Sequence, residues 1–384
     1  MRVIGLLSGT STDGIDAALV DITGRGIRAR LRLLNFATFP YPAGLREELT
    51  ALTHDGRVED LSALNFYLGE LFARSAEKIA RRTKVSLKSV QLIGSHGQTI
   101  CHLPETRRIR GVSIRSTLQI GEPSVIAERT GVTTVAEFRY RDIAAGGEGA
   151  PLTPYLHYIL FHSSGKSRLI VNIGGINNVT HLPRRSGLGP VIAFDAGPGN
   201  MLIDGLVRVM TRGREVMDRN GRMARKGRVH PGLLKWLMAH PFLKKKPPKS
   251  TGREAFGEPL VRKILRRAKK AGVLRDDLVT TVTAFTAGSI YSAYMRFIRR
   301  RGKVDEVIVG GGGTRNPVLM EFLQEAFGDI PVHPFEKHGI DSRALEAMAF
   351  ALFAYGSYRG DKNNVPGATG ARRDVVLGKI IPGR

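Results

Sequence analysis

Apolar residues along this chain fall into short runs that stop, repeatedly, at turns of glycine, serine, threonine and aspartate. Residues 2–7 form a strand-length apolar run ending in Ser8-Gly-Thr-Ser-Thr-Asp-Gly14, and the apolar pattern resumes over Ala17 to Ile22. Two such runs across a polar turn predict a β-hairpin. Leu61, Leu64, Leu68, Leu71, Phe72, Ala76 and Ile79 recur at helical spacing, which predicts a helix over 60–82. A buried-strand run, Val90 to Ile93, then leads into Gly-Ser-His-Gly-Gln-Thr. A second cycle follows: Leu-Gln-Ile-Gly-Glu-Pro at 118–123, a helix over 124–131, a strand over 133–138, and a glycine-rich stretch over 145–151.

Around Leu169 the opening pattern returns in outline. Residues 169–182 read as strand, glycine turn and strand; 193–207 and 305–323 each read as strand, turn and helix. No repeat is visible in the letters, yet each half opens with a hairpin whose turn is rich in glycine and polar groups. The boundary is expected near 140–150: a first domain over 1–140, with the tail 360–384 packing back onto it, and a second over 141–359. Residues 240–257, rich in proline and lysine, read as an exposed loop. The apolar stretch 343–358 reads as a helix packed between elements.

Charge changes this picture in one place. The chain carries +25, and residues 205–305 hold 26 Lys/Arg against seven Asp/Glu, so most of the excess sits in that stretch. An anionic partner is one explanation. Solvated helix faces are the plainer one: in residues 261–272, Val261, Ile264, Leu265 and Ala268 mark an apolar stripe beneath the bases. Nucleic acid is not the expected partner, because the few aromatics nearby form no stacking ladder. The single cysteine, Cys101, rules out an intrachain disulfide and a cysteine zinc site. The N-terminal apolar run is too short for a signal peptide, and no run reaches the roughly 18 residues of a membrane span. A soluble protein of a reducing compartment, the cytoplasm, is expected.

Four glycine-rich turns follow apolar strands: 8–14, 172–178, 195–200 and 310–316. Glycine lets backbone N–H groups approach an anion closely, hydroxyls add donors, and a following helix adds positive potential, so this is phosphate-binding chemistry. Any one of them could be a turn and nothing more. The P-loop signature is absent, and the glycines at 310–313 do not extend to a dinucleotide fingerprint because Arg315 stands at its last position. Protein-kinase motifs, a G-x-S-x-G elbow and an H-E-x-x-H zinc motif are absent too. What remains is an α/β, two-domain actin-like (ribonuclease H-like) ATPase fold with the nucleotide in the interdomain cleft. In that fold two hairpin turns clamp the phosphates and a third glycine turn holds adenosine.

Ser8-Gly-Thr-Ser-Thr-Asp-Gly-Ile-Asp16, Ile93-Gly-Ser-His-Gly-Gln-Thr99, Arg141-Asp-Ile-Ala-Ala-Gly-Gly-Glu-Gly-Ala-Pro151, Asn172-Ile-Gly-Gly-Ile-Asn-Asn-Val-Thr180, Phe194-Asp-Ala-Gly-Pro-Gly-Asn200, Pro247-Pro-Lys-Ser-Thr-Gly-Arg-Glu254 and Gly310-Gly-Gly-Gly-Thr-Arg-Asn-Pro317, in this order, closely resemble the anhydro-N-acetylmuramic acid kinases. The resemblance runs from Gly5 to Pro382. It implies that 1,6-anhydro-N-acetylmuramic acid, ATP and water become N-acetylmuramic acid 6-phosphate and ADP, in the recycling of peptidoglycan amino sugars, by a homodimer. Position 12 is usually apolar in the family and is Thr12 here, and Asn220-Gly221 stands where Asp-Gly is usual. Two other possibilities stay open: an actin-like N-acetylhexosamine kinase with no hydrolytic step, or a nucleotide-binding regulator that contacts nucleic acid through the basic stretch.

The resemblance makes Asp195 the catalytic base that deprotonates water; capping of the next helix is its other possible role. Glu346, alone in an apolar helix, is either a second catalytic acid or a charge at the helix edge. The nucleotide is expected on Gly9, Thr10, Ser11, Thr12, Asp13, Gly14, Ile15 and Asp16, on Gly174, Gly175 and Asn177, on Gly197, Gly199 and Asn200, and on Gly311, Gly312, Gly313 and Asn316. Asp13 and Asp16 are the candidates for Mg²⁺, which binds phosphate oxygens and one or two carboxylates. His96, Gln98, Glu122, Arg139 and Asp142 are expected on the sugar side, Arg139 facing the lactyl carboxylate.

Overall fold

The computed structural model describes every residue except Thr10, Ser11 and Asp13, together with the side chains of His54 and Asp55. It divides into two units, Met1–Leu160 with Ala344–Arg384, and Phe161–Arg343.

The first unit is built on a seven-stranded sheet. Strand Arg2–Ser8 pairs antiparallel with Gly14–Thr23, which pairs antiparallel with Arg30–Pro40. On its other side Arg2–Ser8 runs parallel to Leu92–Ile109, which is parallel to Thr134–Ala136. Val112–Ile120 returns as a hairpin along Leu92–Ile109, and Lys379–Ile381 closes the edge beside Thr134–Ala136. The helix expected over 60–82 spans Val58–Arg82 and buries Leu68, Phe72, Ala76 and Ile79 in the core with Ile4, Leu6 and Ile93. Strand Arg30–Pro40 and helix Leu45–Asp55 lay outside the expected elements.

Helix Leu345–Tyr358 lies so close to this sheet that side chains are excluded beneath it. A Cβ on Gly5 would meet the Ala347 carbonyl oxygen at 1.8 Å, and one on Gly94 would meet that of Phe350 at 2.1 Å. This contact explains why the expected boundaries are displaced. Residues 344–359, expected in the second domain, belong with the first unit, and the break near 140 falls after Leu160.

The second unit repeats the topology. Arg168–Ile173, Ile176–Leu182 and Ile192–Pro198 form an antiparallel meander, and Glu306–Gly310 and Val332–Pro334 run parallel to the first of them. Helices Arg275–Ala293 and Pro317–Phe327 pack Ile290, Ala293, Leu319 and Leu323 against Leu169, Val171, Val179 and Phe194. Each unit thus places its first strand centrally, with two antiparallel neighbours on one side and parallel strands on the other. This is the actin-like, ribonuclease H-like α/β arrangement. The basic stretch is mostly helical: Glu258–Lys270 buries Leu260, Val261, Ile264 and Ala268 and leaves its lysines and arginines exposed. Among the described residues no helix is long and apolar enough to cross a membrane.

Candidate active site

In the second unit the glycine turns converge. The N–H groups of Asn200 and Met201, at the start of helix Asn200–Met210, donate to the carbonyls of Gly174 (2.8 Å) and Gly175 (3.1 Å), and Gly199 N–H donates to Gly175 (2.9 Å). A Cβ on Gly199 would lie 2.3 Å from the Gly174 oxygen, so only glycine permits this approach. Asn200 also points toward the third turn, since a Cβ on Gly312 would sit 3.7 Å from its Nδ2. Gly311 has φ +85° and packs against Asn172 and Ile173.

Asp195 lies within strand Ile192–Pro198, opposite Asn178. Its backbone N–H donates to the Lys249 carbonyl at 3.1 Å, and its Oδ2 accepts from the backbone N–H of Thr251 at 2.8 Å. The next helix is capped at Gly199 and has no side-chain cap, so Asp195 is not its capping residue. The carboxylate is held instead by the loop at 249–251, which is not wholly exposed: Lys249 is buried beneath it, while Lys244, Lys245 and Lys246 are exposed.

In the first unit a cavity of about 300 Å³ opens between the N-terminal part of helix Val58–Arg82 and the strands after Ser95 and Leu118. His96, Glu122, Asn65, Ser95, Gln119 and Tyr140 line it. Glu122 caps helix Pro123–Thr130 through Ser124 N–H (3.0 Å), and its other oxygen accepts from Asn65 Nδ2 (3.1 Å). Burial works to raise the Glu122 carboxyl, but these hydrogen bonds outweigh it and hold the group below its ordinary range. Ser95 Oγ and Gln119 Oε1 are buried without a hydrogen-bond partner. Unpaired buried acceptors and donors in a cavity wall are what a polar ligand would satisfy.

His96 is fixed from both ring nitrogens. Nδ1 is 3.1 Å from the Gly97 carbonyl, and Nε2 lies 3.0 Å from Arg139 Nε, which donates to it. Burial, then the charge of Arg139, keeps the imidazole well below its ordinary pKa and therefore neutral. Arg139 is itself lowered to about 10 by burial, with Glu346 opposing the shift. Glu346, in the first turn of helix Leu345–Tyr358, is exposed to solvent at the helix edge, although protein packed around its carboxyl and the charge of Asp16 raise it while Arg139 counters. Asp16 Oδ1 accepts from Thr38 Oγ1 at 2.5 Å. Asp16, Glu346, Arg139 and His96 are thus a linked electrostatic series within one unit.

A model of the family "Anhydro-N-acetylmuramic acid kinase" matches residues 1–383. The chain belongs to that family. A kinase of that name from Caldanaerobacter subterraneus subsp. tengcongensis is 48% identical over 380 residues, covering 98% of this chain and 96% of its own. Another, from Bacillus thuringiensis subsp. konkukian, is 45% identical over 384 residues, covering 99% of each. Among solved structures, a ROK hexokinase from Thermus thermophilus aligns at 18% identity and TM-score 0.39, covering 92% of this chain and 99% of that one.

As a kinase of this family, the chain carries several expected site residues in other roles. Asp142 is buried: Oδ1 accepts from Asn364 Nδ2 and Thr369 Oγ1, both at 2.8 Å, and Oδ2 from Gly149 N–H at 2.9 Å. It ties the C-terminal tail to the rest of the first unit and is wholly buried. Gln98 is held by Ser8 Oγ at 2.6 Å and is not among the residues lining the cavity. Ile15 is a core side chain, 2% exposed, so only its backbone can face a ligand. A Cβ on Gly14 would clash with the Phe39 carbonyl at 2.5 Å, so strand packing alone accounts for that glycine. Asn177 is buried and braces Pro198 O and Ser289 Oγ at 2.7 and 3.1 Å. Asn316 caps helix Pro317–Phe327 through Val318 and Leu319 N–H. Gly197 is required by Ser289, whose Oγ a Cβ would meet at 2.8 Å.

Asp195, Glu346, Asp16, His96, Glu122 and Arg139 remain at polar sites; Gly9, Thr12, Gly174, Gly175, Asn200 and Gly311–Gly313 remain in the turns. Thr12 has φ +53° and its N–H donates to Gly9 O at 3.1 Å. Thr10, Ser11 and Asp13 lie outside the described residues. Among the described residues no three His, Cys, Asp or Glu groups converge as a metal site. Asn65, Ser95, Gln119 and Tyr140 were not expected. Asn65 belongs to the apolar-striped helix, where a single polar residue carries no signal by itself.

Proposed function

We propose that this chain binds 1,6-anhydro-N-acetylmuramic acid and ATP and forms N-acetylmuramic acid 6-phosphate and ADP. The observation that carries the reading is Asp195: a carboxylate fixed in mid-strand, beside two joined glycine turns, and oriented by a backbone N–H. Water attacks the anomeric carbon of the sugar, and Asp195 accepts its proton. The new C1–O bond forms as the C1–O6 bridge breaks. O6, now free, attacks the γ-phosphorus, and ADP leaves.

The cavity lined by His96, Asn65, Gln119 and Glu122 supplies the planar polar groups that recognise sugar hydroxyl and amide groups. Its unpaired Ser95 and Gln119 oxygens favour a polar occupant over an apolar one. Arg139, engaged with the cavity residue His96, supplies a positive charge for the lactyl carboxylate. The nucleotide phosphates are proposed at the backbone of the second unit's turns around Gly174–Gly175 and Gly312.

Mg²⁺ suits the mutual repulsion between Asp16 and Glu346, two carboxylates whose charges oppose one another. Asp16 would hold it, directly or through water, with Glu346 as the neighbouring acid and Asp13 the other sequence candidate. When bound, it neutralises charge on the transferred phosphoryl group. A cytoplasmic homodimer is the form this reading expects.

Mass analysis of product made in ¹⁸O-water tests the reaction. One ¹⁸O should enter the sugar at C1 and none the phosphate, with early quenching because the free anomeric hydroxyl exchanges with water. Label in released inorganic phosphate, with the sugar unopened, would mean simple ATP hydrolysis and defeat the proposal. A phosphorylated sugar without label would mean a kinase lacking the hydrolytic step.

A further inference from the structure

We propose that Lys249 is a positioning residue whose caged ammonium group holds Asp195 in the ionised form that a general base requires. The proposal rests on Asp195 being that base. Lys249 is only 4% exposed. Its Nζ donates to the Phe242 carbonyl at 3.2 Å and stands over three rings, with centroid distances of 4.5 Å to Phe242, 5.0 Å to Phe297 and 5.6 Å to Phe194. Phe194 is the residue before Asp195, and Phe194 and Phe297 meet edge-on at 5.6 Å, so the cage is itself a packed unit. Ring faces attract a cation but accept no proton from it. The ammonium is therefore confined without being neutralised, a costly arrangement unless its charge is used.

The same segment grips Asp195 twice through its backbone. Lys249 O receives the Asp195 N–H, and Thr251 N–H reaches the carboxylate. Side chain and main chain of one short loop thus act on one acid. The charged groups facing the ammonium are Asp195 on its strand, Arg296 from the segment that carries Phe297, and Lys245 from the preceding loop. Burial lowers Lys249 to about 8; Asp195 opposes that shift, and Arg296 and Lys245 add to it. Coupling of two charges is reciprocal, so what Asp195 does for the ammonium the ammonium does for the carboxylate. In this proposal the ammonium of Lys249 favours the charged carboxylate of the acid whose backbone and side chain its own loop grips.

Lys249→Met keeps an unbranched stem of similar length in the cage and removes the charge. The acid limb of its kcat–pH profile should move up, by up to about one unit, as removal of an opposite charge requires. Lys249→Arg should leave that limb in place. An acid limb unmoved in Lys249→Met, whatever the loss of kcat, or a rise in nucleotide KM alone, would overturn the proposal. Should Lys249→Met fail to fold, the coupling is read from the other side. With ¹³C at the lysine ε-carbon, the Lys249 titration should fall in Asp195→Asn relative to wild type, and an unchanged titration would overturn the proposal. Turnover of Asp195→Asn separates the two ideas. If it stays near wild type, the assignment of the base has failed; if it collapses while the limb and the titration stay fixed, only the role of Lys249 has.

Discussion

Arg139 donates its Nε proton to Nε2 of His96 at 3.0 Å, which leaves the imidazole an acceptor on that side and no room for a second proton. His96 shares its depressed state with five other histidines: His102 and His181 are lowered to about 4, His157 to about 3, and His240 and His338 less far, in each case chiefly by burial. All six are neutral when folded at neutral pH and take up protons near 6.5 when unfolded. The unfolded chain therefore binds more protons as pH falls below about 6.5, and stability declines with it. Denaturant midpoints should be flat between pH 7 and 8 and fall steadily from 6.5 toward 4.5. A curve level through that window would show that these histidines are protonated in the fold.

Asp142 should matter to stability rather than to substrate. Asp142→Ala strips the partners from Gly149, Asn364 and Thr369 at once, and hydrogen bonds to a buried charge contribute about 1.5–3 kcal/mol each. Because bonds sharing one acceptor are not additive, a loss of at least about 3 kcal/mol is expected, with the tail beyond residue 360 becoming the first site of limited proteolysis. A stable variant with an elevated KM for the sugar would return Asp142 to the substrate side.

These two residues show what the sequence could and could not convey. The hairpins, the helix expected over 60–82 and the apolar stripe within 261–272 were legible because periodicity is a local property. Asp142 was not, since its partners Asn364 and Thr369 lie more than 200 residues further on, and a buried latch and a ligand-facing acid look alike as letters. The glycine turns were ambiguous in a related way. Gly199 and Gly197 are glycines because backbone and Ser289 press on them, while a phosphate would demand the same residue. The domain boundary failed for a tertiary reason: helix 345–358 returns to a sheet whose Gly5 and Gly94 were laid down at the other end of the chain.

The basic surface yields a prediction of near silence. Lys244, Lys245 and Lys246 are exposed, whereas Lys249, three residues on, is buried. Replacing the three with serine should leave turnover within about twofold, because solvated surface charges contribute little. A large fall in apparent ATP affinity, rescued at low salt, would instead show that they steer the nucleotide.

Asp195→Asn is the sharpest test of the site. Asparagine has nearly the same shape, and its amide oxygen can still accept the Thr251 N–H, so the loop at 249–251 should stay docked and the protein should melt normally. What is lost is the ability to take a proton. If Asp195 is the base, kcat should fall by roughly 10²- to 10⁴-fold. Nucleotide affinity should change little, because it depends on the backbone of the glycine turns. A helix cap would have predicted silence, since Asn caps about as well as Asp, but the cap position belongs to Gly199, four residues later. A variant keeping more than about a tenth of wild-type turnover would lie outside the range for a lost base. The proton would then have to pass to Glu346, the other acid held near charged neighbours, and the double variant with Glu346→Gln would show the collapse that the single one did not.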